Sequence, residues 1–347
     1  MAHWHEACDD HDAAYRAVLC ERLTMAVDPQ LLAYYAAVAQ RFAALPEPAD
    51  MAAQRQRMRD VVAMSPADWT SLVDVSELLL PLSDAKLGAL MFRSRQPCTA
   101  PPPLLVYFHG GGWAVGSPQT HAAICAMLAH DTGCTVVSVD YRLAPEHPFP
   151  VPCEDALAAL EYLAGQRAAL GCRTDWLAVG GDSAGAHLAA QAGLRANLRA
   201  SQSTGRLVDA QLLIYPAVTP AFGSDSYAAF ADGPGLTREE MRAYWALFIG
   251  AEALAQGGAH PDSRLNLLAA APQGIPPDTV MVVAGHDVLR DDGLQYADFL
   301  VEHGAQVVCL EASGMTHSFA RLQVHSARAR QWMERTAAAF RTLLPDT

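Results

Sequence analysis

The chain has 347 residues, of which 51% are hydrophobic and 18% are charged, a composition typical of a folded globular protein and not of a disordered one. Its formal net charge of −13 argues against nucleic acids and anionic membranes as partners, because both would repel it. No apolar run approaches the roughly 18 residues of a spanning helix, so no integral membrane association is expected. Residues 1–12 show no signal-peptide pattern, which favours a cytoplasmic location.

The eight cysteines form no C-x-x-C pair, and a chain of this length needs no disulfide framework. We therefore expect them to be small, reduced and mostly buried residues. No H-E-x-x-H segment and no dinucleotide-binding fingerprint occur in the sequence. The prediction is a protein with neither a metal nor an organic cofactor.

Residues 1–62 are predicted to be helical. Apolar residues recur at helical spacing over 12–23 and 29–45, and again over 51–64 after the helix-breaking segment PEPAD. Two strands, SLVDVSELLLP and AKLGALMFRS, are then predicted as an antiparallel pair that starts near residue 72. The first strands therefore follow a helical segment.

From residue 104 onward, apolar strands alternate with helical segments. The six strands predicted there are LLVYFHG, CTVVSVDYR, WLAVGG, AQLLIYPAV, DTVMVVAGHD and AQVVCLEA. Because these strands are apolar on both faces, they predict an α/β fold with a mostly parallel central sheet covered by helices on both faces. Residues 221–258 break the alternation and are predicted to be a loop followed by a helix, inserted over the C-terminal edge of the sheet.

The segment Gly181-Asp182-Ser183-Ala184-Gly185 has the form G-x-S-x-G and lies between a predicted strand and a predicted helix. In a nucleophile elbow the serine occupies a sharp, strained turn, and its neighbours are small because the strand and the helix pack closely. The alternative is a purely structural glycine-rich turn. The flanking strand and helix favour a functional serine.

A second motif, HGGGW at residues 109–113, follows an apolar strand. Three successive glycines allow backbone N–H groups to converge on one point, as an oxyanion hole requires. A flexible loop or a phosphate-binding loop is the alternative, but no Gly-Lys-Ser/Thr sequence follows.

A nucleophilic serine needs a base and a group that orients the base. His317 is the preferred base, because it is predicted to lie in a loop just past the last strand, at the edge where active sites of open α/β sheets form. Asp287 directly follows the penultimate strand at the same edge, whereas Asp291 and Asp292 are predicted in the first turn of the next helix. The order Ser183, Asp287, His317 is the one expected for α/β-hydrolases.

Four segments together resemble the hormone-sensitive-lipase-like carboxylesterases, a bacterial esterase group within the α/β-hydrolase superfamily. They are HGGGW at 109–113, DYRLAPEHPFP at 140–150, GDSAG at 181–185, and the surroundings of Asp287 and His317. The resemblance covers about residues 72–345.

This resemblance implies an α/β-hydrolase fold with a helical cap. Residues 1–62 would form an N-terminal cap segment, residues 63–347 the catalytic domain, and residues 221–258 within it a second cap segment. The chain departs from the family pattern at Ala186 and His187, where a glycine and an asparagine are usual, and at Ser318, where a glycine is commoner.

The resemblance also implies a role for each matching residue. Ser183, Asp287 and His317 would form the catalytic triad. The oxyanion hole would consist of the N–H groups of Gly111, Gly112 and Ala184. The supporting positions would be His109, Gly110, Trp113, Glu146 and Asp182, the last two through hydrogen bonds to the loops around the hole.

The resulting prediction is a serine carboxylesterase that acts on short- to medium-chain esters through an acyl-enzyme intermediate. An amidase or deacetylase with the same triad is the first alternative. A non-catalytic small-molecule-binding protein on the same fold is the second. The resemblance leaves a homodimer as an option.

Overall fold

The structure, a computed structural model, describes residues 26–46, 48–65, 68–201, 205–255, 262–269 and 276–345. The helix predicted over residues 12–23 lies outside these ranges. The strands of the described residues are β1 (Val73–Pro81), β2 (Lys86–Ser94), β3 (Leu104–Phe108), β4 (Thr135–Val139), β5 (Leu177–Asp182), β6 (Ala210–Ile214), β7 (Asp278–His286) and β8 (Val307–Thr316).

These strands form one sheet in the order β1-β2-β4-β3-β5-β6-β7-β8. The pairs β1–β2 and β2–β4 are antiparallel, and every other neighbouring pair is parallel. The predicted antiparallel start and the mostly parallel sheet are both confirmed. Because β3 lies between β4 and β5, the chain reverses its direction of winding there, which opens a crevice at the C-terminal ends of these strands.

Alternate residues of the central strands enter two separate cores. Leu104, Val106 and Phe108 of β3 pack into one apolar cluster, and Leu105 and Tyr107 into the other. This follows from the two-residue repeat of a strand, which points successive side chains to opposite faces. A strand that is buried on both faces needs helices on both faces, and this is the arrangement observed.

The helices of the described residues are α1 (Pro29–Phe42), α2 (Met51–Val62), α3 (Ala122–Thr132), α4 (Val151–Gln166), α5 (Ala184–Ser201), α6 (Asp225–Ala229), α7 (Arg238–Ile249), α8 (Ala251–Ala255), α9 (Arg290–Glu302) and α10 (Ala327–Arg341). Helices α4, α5 and α9 contribute to one core, and α3 and α10 to the other. Across the described ranges, no helix is both long enough and apolar enough to cross a bilayer.

Hydrogen bonds connect helix α1 to the end of strand β8. Asp28 caps α1 by accepting a hydrogen bond from the Gln30 N–H at 2.7 Å, and its own N–H donates to the Gly314 carbonyl at 2.9 Å. Further along α1, the Tyr35 hydroxyl lies 2.7 Å from Thr316 Oγ1, in the last residue of β8. Helix α1 therefore lies beside the residue that precedes His317.

The described part of the segment 221–258, residues 221–255, contains three helices, α6, α7 and α8, where the sequence pattern predicted one. Its start is held by two acidic residues of α9: Asp291 accepts from the Ser226 N–H at 2.7 Å, and Asp292 accepts from the Ser224 hydroxyl at 3.0 Å. Both carboxylates lie in the first turn of α9, as predicted, where the helix dipole favours negative charge.

Asp292 is expected to make the stability of the fold depend on pH. Burial, reinforced by the neighbouring Asp291 and Asp287 charges, raises its pKa from 3.8 to about 7. Since the folded-state pKa lies above the unfolded value, stability is lost as the pH rises from about 4 through about 7. The difference in free energy of unfolding between Asp292→Asn and wild type is expected to shift in favour of the variant by roughly 2 kcal/mol from pH 5 to pH 8. Urea denaturation at the two pH values measures this shift.

Asp298→Asn is the matched control, because it removes a carboxylate from the exposed side of the same helix. Its stability difference from wild type is expected to be the same at both pH values. If the stability difference from wild type changes with pH to the same extent in both variants, ionisation of Asp292 does not destabilise the folded protein.

Candidate active site

Ser183 occupies the sharp turn between β5 and α5. Its backbone lies in the left-handed region, with φ of 55°, which is strained for a residue with a side chain. The Ser183 N–H donates to the Ile214 carbonyl at 2.8 Å and thereby fixes the turn against β6. A Cβ atom at Gly185 would lie 2.0 Å from the Phe108 carbonyl oxygen. The close approach of β3 and α5 therefore requires the small residue two positions after the serine.

The side chains of Ser183, His317 and Asp287 form one continuous hydrogen-bonded relay. His317 Nε2 lies 2.9 Å from Ser183 Oγ, and His317 Nδ1 lies 2.6 Å from Asp287 Oδ2. The second oxygen of Asp287 accepts from the Leu289 N–H at 3.0 Å, so both carboxylate oxygens are held. In this geometry an imidazole can take the proton of a serine hydroxyl while the carboxylate fixes its tautomer.

His317 follows the last strand directly, because β8 extends to Thr316 and not only to residue 312 as the pattern predicted. The predicted strand end was therefore wrong by four residues. Between the pairs Ala284–Ala312 and His286–Thr316, three residues of β8 stand opposite the single residue Gly285 of β7. Such a bulge re-aims the side chains that follow it. It brings His317 to the same sheet edge as Asp287.

The loop after β3 places two glycines on the wall of the cavity above Ser183. Gly111 and Gly112 have φ values of 119° and 59°, and both line that cavity. Within the described part of the chain, no acceptor pairs with either N–H, nor with the Ala184 N–H at the start of α5. A Cβ atom at Gly112 would lie 2.1 Å from the ring of Tyr244. These three donors are available to bind an oxyanion.

Asp182 joins the turn at Ser183 to the loop after β3, residues 109–114, which we call the glycine loop. Its Oδ1 accepts from the Gly110 N–H at 2.9 Å and from the Tyr107 hydroxyl at 2.8 Å, and its Oδ2 lies 3.5 Å from His121 Nε2. Burial would raise the pKa of Asp182, but His121 and these hydrogen bonds together lower it to about 2. The carboxylate is therefore ionised at neutral pH and holds Gly110 in place.

His109 supports the same loop from inside the protein. Its ring stacks on Tyr141, with 4.4 Å between ring centroids, and on His121, with 5.4 Å. Burial makes the largest contribution to lowering the pKa of His109 to about 3, and the nearby His121 makes the second. His109 is therefore neutral at physiological pH and contributes packing and not charge.

Trp113 connects the loop to the 221–258 segment. Its ring lies flat on Phe248 of α7, with 4.4 Å between centroids and 7° between planes. His187 meets the Trp113 ring edge-on at 5.2 Å, and its Nε2 lies 3.2 Å from the Leu265 carbonyl oxygen. His187 and the buried Ala186 thus fill the space behind the serine turn.

Arg55 of α2 reaches the glycine loop from the N-terminal segment. It donates to the Ala114 carbonyl at 2.8 Å, to the Ala144 carbonyl at 3.0 Å, and to both carboxylate oxygens of Glu146 at 2.9 and 2.6 Å. Glu146 therefore acts on the loop through Arg55. The Arg55 hydrogen bond holds the pKa of Glu146 below its usual value.

A cavity of about 330 Å³ lies over the relay. The apolar and aromatic side chains on its walls come from α1, α2, the 221–258 segment and the turn after β8, and include Tyr35, Met58, Val61, Leu236, Met241 and Tyr244. Two arginines, Arg57 and Arg321, also line it. The cavity has the size and the apolar walls that a small organic ligand requires.

Sequence reasoning missed Arg55, Tyr35, Tyr107 and His121. Tyr107 had a local signal, since it is a hydroxyl-bearing residue in the otherwise apolar strand LLVYFHG. Arg55 had none, because its partner Glu146 lies 91 residues away in the chain.

The chain is similar to known hydrolases over most of its length. A family model described as alpha/beta hydrolase fold matches residues 105–321. The carboxylic ester hydrolase LipN of Mycobacterium tuberculosis is 35% identical over 279 residues, which are 79% of this chain and 71% of LipN. The esterase LipI of the same organism is 34% identical over 300 residues, which are 85% of this chain and 88% of LipI.

Among solved structures, EstE1, a thermophilic carboxylesterase cloned from a metagenomic library, has a TM-score of 0.76 at 30% sequence identity. The match covers 87% of this chain and 100% of EstE1. The chain belongs to the α/β-hydrolase fold family, and the resemblance to hormone-sensitive-lipase-like esterases is confirmed.

Removing the Arg55 contacts is expected to loosen the glycine loop. Arg55→Met keeps an unbranched apolar stem but loses the guanidinium and its hydrogen bonds to two carbonyls and one carboxylate. We expect kcat/KM for a neutral ester to fall by roughly tenfold, because charge-assisted hydrogen bonds of this kind are worth about 1.5–3 kcal/mol. Steady-state kinetics with 4-nitrophenyl butyrate measure this.

Arg59→Met is the matched control on the same helix, since Arg59 is exposed and, among the residues that the structure describes, its side chain bonds only to Gln56. It should retain wild-type kcat/KM. If both variants lose activity to the same extent, the effect comes from helix α2 as a whole and not from the Arg55 contacts.

Proposed function

We propose that this protein is a serine carboxylesterase that hydrolyses esters of short- to medium-chain carboxylic acids through an acyl-enzyme intermediate. The observation that carries this proposal is the unbroken relay from Asp287 through His317 to Ser183, beside unpaired N–H groups. Ester hydrolysis needs such a relay, whereas a protein that only binds a small molecule does not. The sequence relatives, which are ester hydrolases, support the same reaction class.

In the first half of the reaction, His317 Nε2 takes the proton of Ser183 Oγ as this oxygen attacks the ester carbonyl carbon. The carbonyl oxygen becomes an oxyanion that the N–H groups of Gly111, Gly112 and Ala184 bind. His317, now protonated and stabilised by Asp287, gives the proton to the leaving alcohol oxygen. The alcohol departs, and the acyl group remains bonded to Ser183.

In the second half, His317 removes a proton from water, which attacks the acyl carbonyl carbon. The same three N–H groups bind the second oxyanion. Its collapse breaks the bond to Ser183 Oγ, which takes back the proton from His317, and the carboxylic acid leaves. Both halves use one base and one set of donors, so all the required groups belong to this chain.

The cavity volume supports the preference for short and medium acyl chains. About 330 Å³ accommodates a small ester, and long acyl chains would have to extend beyond the described walls. Helices α1 and α2 and the 221–258 segment supply most of the apolar side chains above Ser183. We assign both segments to the proposed cap, which shapes the acyl and alcohol pockets and excludes water.

The cysteines support a reducing, cytoplasmic location. The six in the described ranges are all unpaired, and four of them are buried. A homodimer would use β8, the outermost strand on one side of the sheet, where Val308 is 39% exposed. Light scattering during size-exclusion chromatography tests this assembly.

Ser183→Ala is expected to abolish ester hydrolysis. Removing the nucleophile of a serine hydrolase relay lowers kcat by at least roughly 10⁴-fold. The measurement is the release of 4-nitrophenol from esters of acetate, butyrate, octanoate and palmitate, with the highest kcat/KM expected for the shorter chains. A folded wild type that releases no more 4-nitrophenol than the variant would contradict the proposal.

Ser201→Ala, an exposed serine at the C-terminal end of α5, is the matched control and should keep wild-type rates. The same set of proteins is tested on 4-nitroacetanilide, the amide counterpart of 4-nitrophenyl acetate. Anilide turnover that exceeds ester turnover and depends on Ser183 would replace the esterase assignment by an amidase one.

A further inference from the structure

Arg321 lies on the wall of the cavity that contains Ser183 and His317. It begins the short 3₁₀ helix Arg321–Val324, four residues after His317, and its N–H donates to the Ser318 carbonyl at 3.0 Å. The position of its backbone is therefore fixed by the same turn that delivers the base. Its side chain is only partly exposed.

The guanidinium of Arg321 has no protein partner within the described ranges. No carboxylate or carbonyl oxygen there accepts a hydrogen bond from it, and no aromatic ring there stacks on it. Arg57, the other arginine of the cavity, differs, because it donates to the Pro46 carbonyl and lies over the Phe42 ring at 5.5 Å. A guanidinium carries five donors, so withdrawing it from water without a partner is costly.

The acidic groups of the cavity do not neutralise Arg321. Glu240 is engaged at the start of α7, where its carboxylate accepts from the Thr237 N–H and hydroxyl at 2.8 Å. Asp287 is bonded to His317, and Asp182 to Gly110. The positive charge is therefore left for a ligand.

The charge of Arg321 acts on three tyrosines that line the cavity. Burial raises the pKa of Tyr34, Tyr35 and Tyr244, and Arg321 opposes this rise in each of them. These tyrosines belong to α1 and α7, and all three line the cavity. The guanidinium is thus close to the space that a substrate would fill.

There is also room around the guanidinium. Arg321 lines a second cavity of about 250 Å³, which shares Tyr34 and Leu322 with the first one. Arg321 therefore lines both cavities.

We propose that the preferred substrates of this esterase carry a carboxylate group in addition to the ester, and that Arg321 binds this carboxylate. The inference rests on the proposed esterase function and specifies its substrate class. Arginine binds carboxylates through two parallel hydrogen bonds, which gives both affinity and orientation. His317 protonates the leaving alcohol, and Arg321 belongs to the turn that follows His317. We therefore place Arg321 beside the part of the site that holds the alcohol, and the carboxylate on the alcohol part of the ester.

The test compares kcat/KM for matched pairs of esters that differ in charge. 4-Acetoxybenzoate and 4-acetoxybenzamide place the difference on the alcohol side, and mono-4-nitrophenyl adipate and 4-nitrophenyl hexanoate place it on the acyl side. The proteins are wild type, Arg321→Gln, Arg321→Lys and the control Arg335→Gln. Arg335 is exposed on α10 and packs over Trp332 outside the cavity.

For the benzoate pair, Arg321→Gln is expected to lower the anionic-to-neutral ratio of kcat/KM by about 10- to 100-fold. Arg321→Lys should recover part of this ratio, because it keeps the charge but not the paired donors. Arg335→Gln should change the ratio by no more than about twofold. Ratios that are equal in wild type and Arg321→Gln for both pairs overturn the proposal. A loss confined to the adipate pair overturns only its assignment to the alcohol side.

Titration calorimetry with 4-hydroxybenzoate separates this inference from the esterase proposal. Binding that is about tenfold weaker or more in Arg321→Gln than in wild type supports the carboxylate site, even if no ester is hydrolysed. Equal affinity of wild type and Arg321→Gln, together with turnover of the neutral esters, refutes the carboxylate site and leaves the esterase proposal standing.

Discussion

One buried carboxylate connects the two parts of the site that have to act together. Asp182 ends β5, one residue before Ser183, and accepts the N–H of Gly110 from the loop after β3. A charge in the protein interior is tolerated only when several donors surround it, and Tyr107, His121 and Tyr215 also contact this carboxylate. The glycine loop therefore cannot shift relative to the serine turn without breaking hydrogen bonds to a buried charge.

The helices outside the sheet core contact the functional loops themselves. Helix α2 bonds to the carbonyl of Ala114 through Arg55, and α1 bonds to Thr316 through Tyr35. In the 221–258 segment, the Tyr244 ring leaves no room for a side chain at Gly112. The residues that shape the cavity are thus mechanically linked to those proposed to carry out the reaction, so a change in the outer helices alters both binding and the geometry of the oxyanion donors.

The sequence predicted features that depend on local pattern and failed for those that depend on distant contacts. The strand runs, the serine turn and the order Ser183, Asp287, His317 all follow from residue spacing along the chain. The extension of β8 was missed because a bulge near Gly314 lets the strand continue past a glycine. Arg55 was missed because an exposed-looking arginine in a polar helix gives no sign of a partner far along the chain.

Charge within the cavity is distributed differently from charge on the whole chain. The protein has a net charge of −13, yet the carboxylates of Asp182 and Asp287 at the site are both held by hydrogen bonds. On the described walls of the cavity, Arg321 is the cationic side chain that no such hydrogen bond engages. A charge interacts more strongly in the cavity than in water. The turn that begins at His317 also fixes the position of Arg321. A substrate whose carboxylate is bound by Arg321 therefore has its ester group held at a set distance from His317. Substrate selection would then depend on where the substrate carries its charge more than on how well it fills an apolar wall.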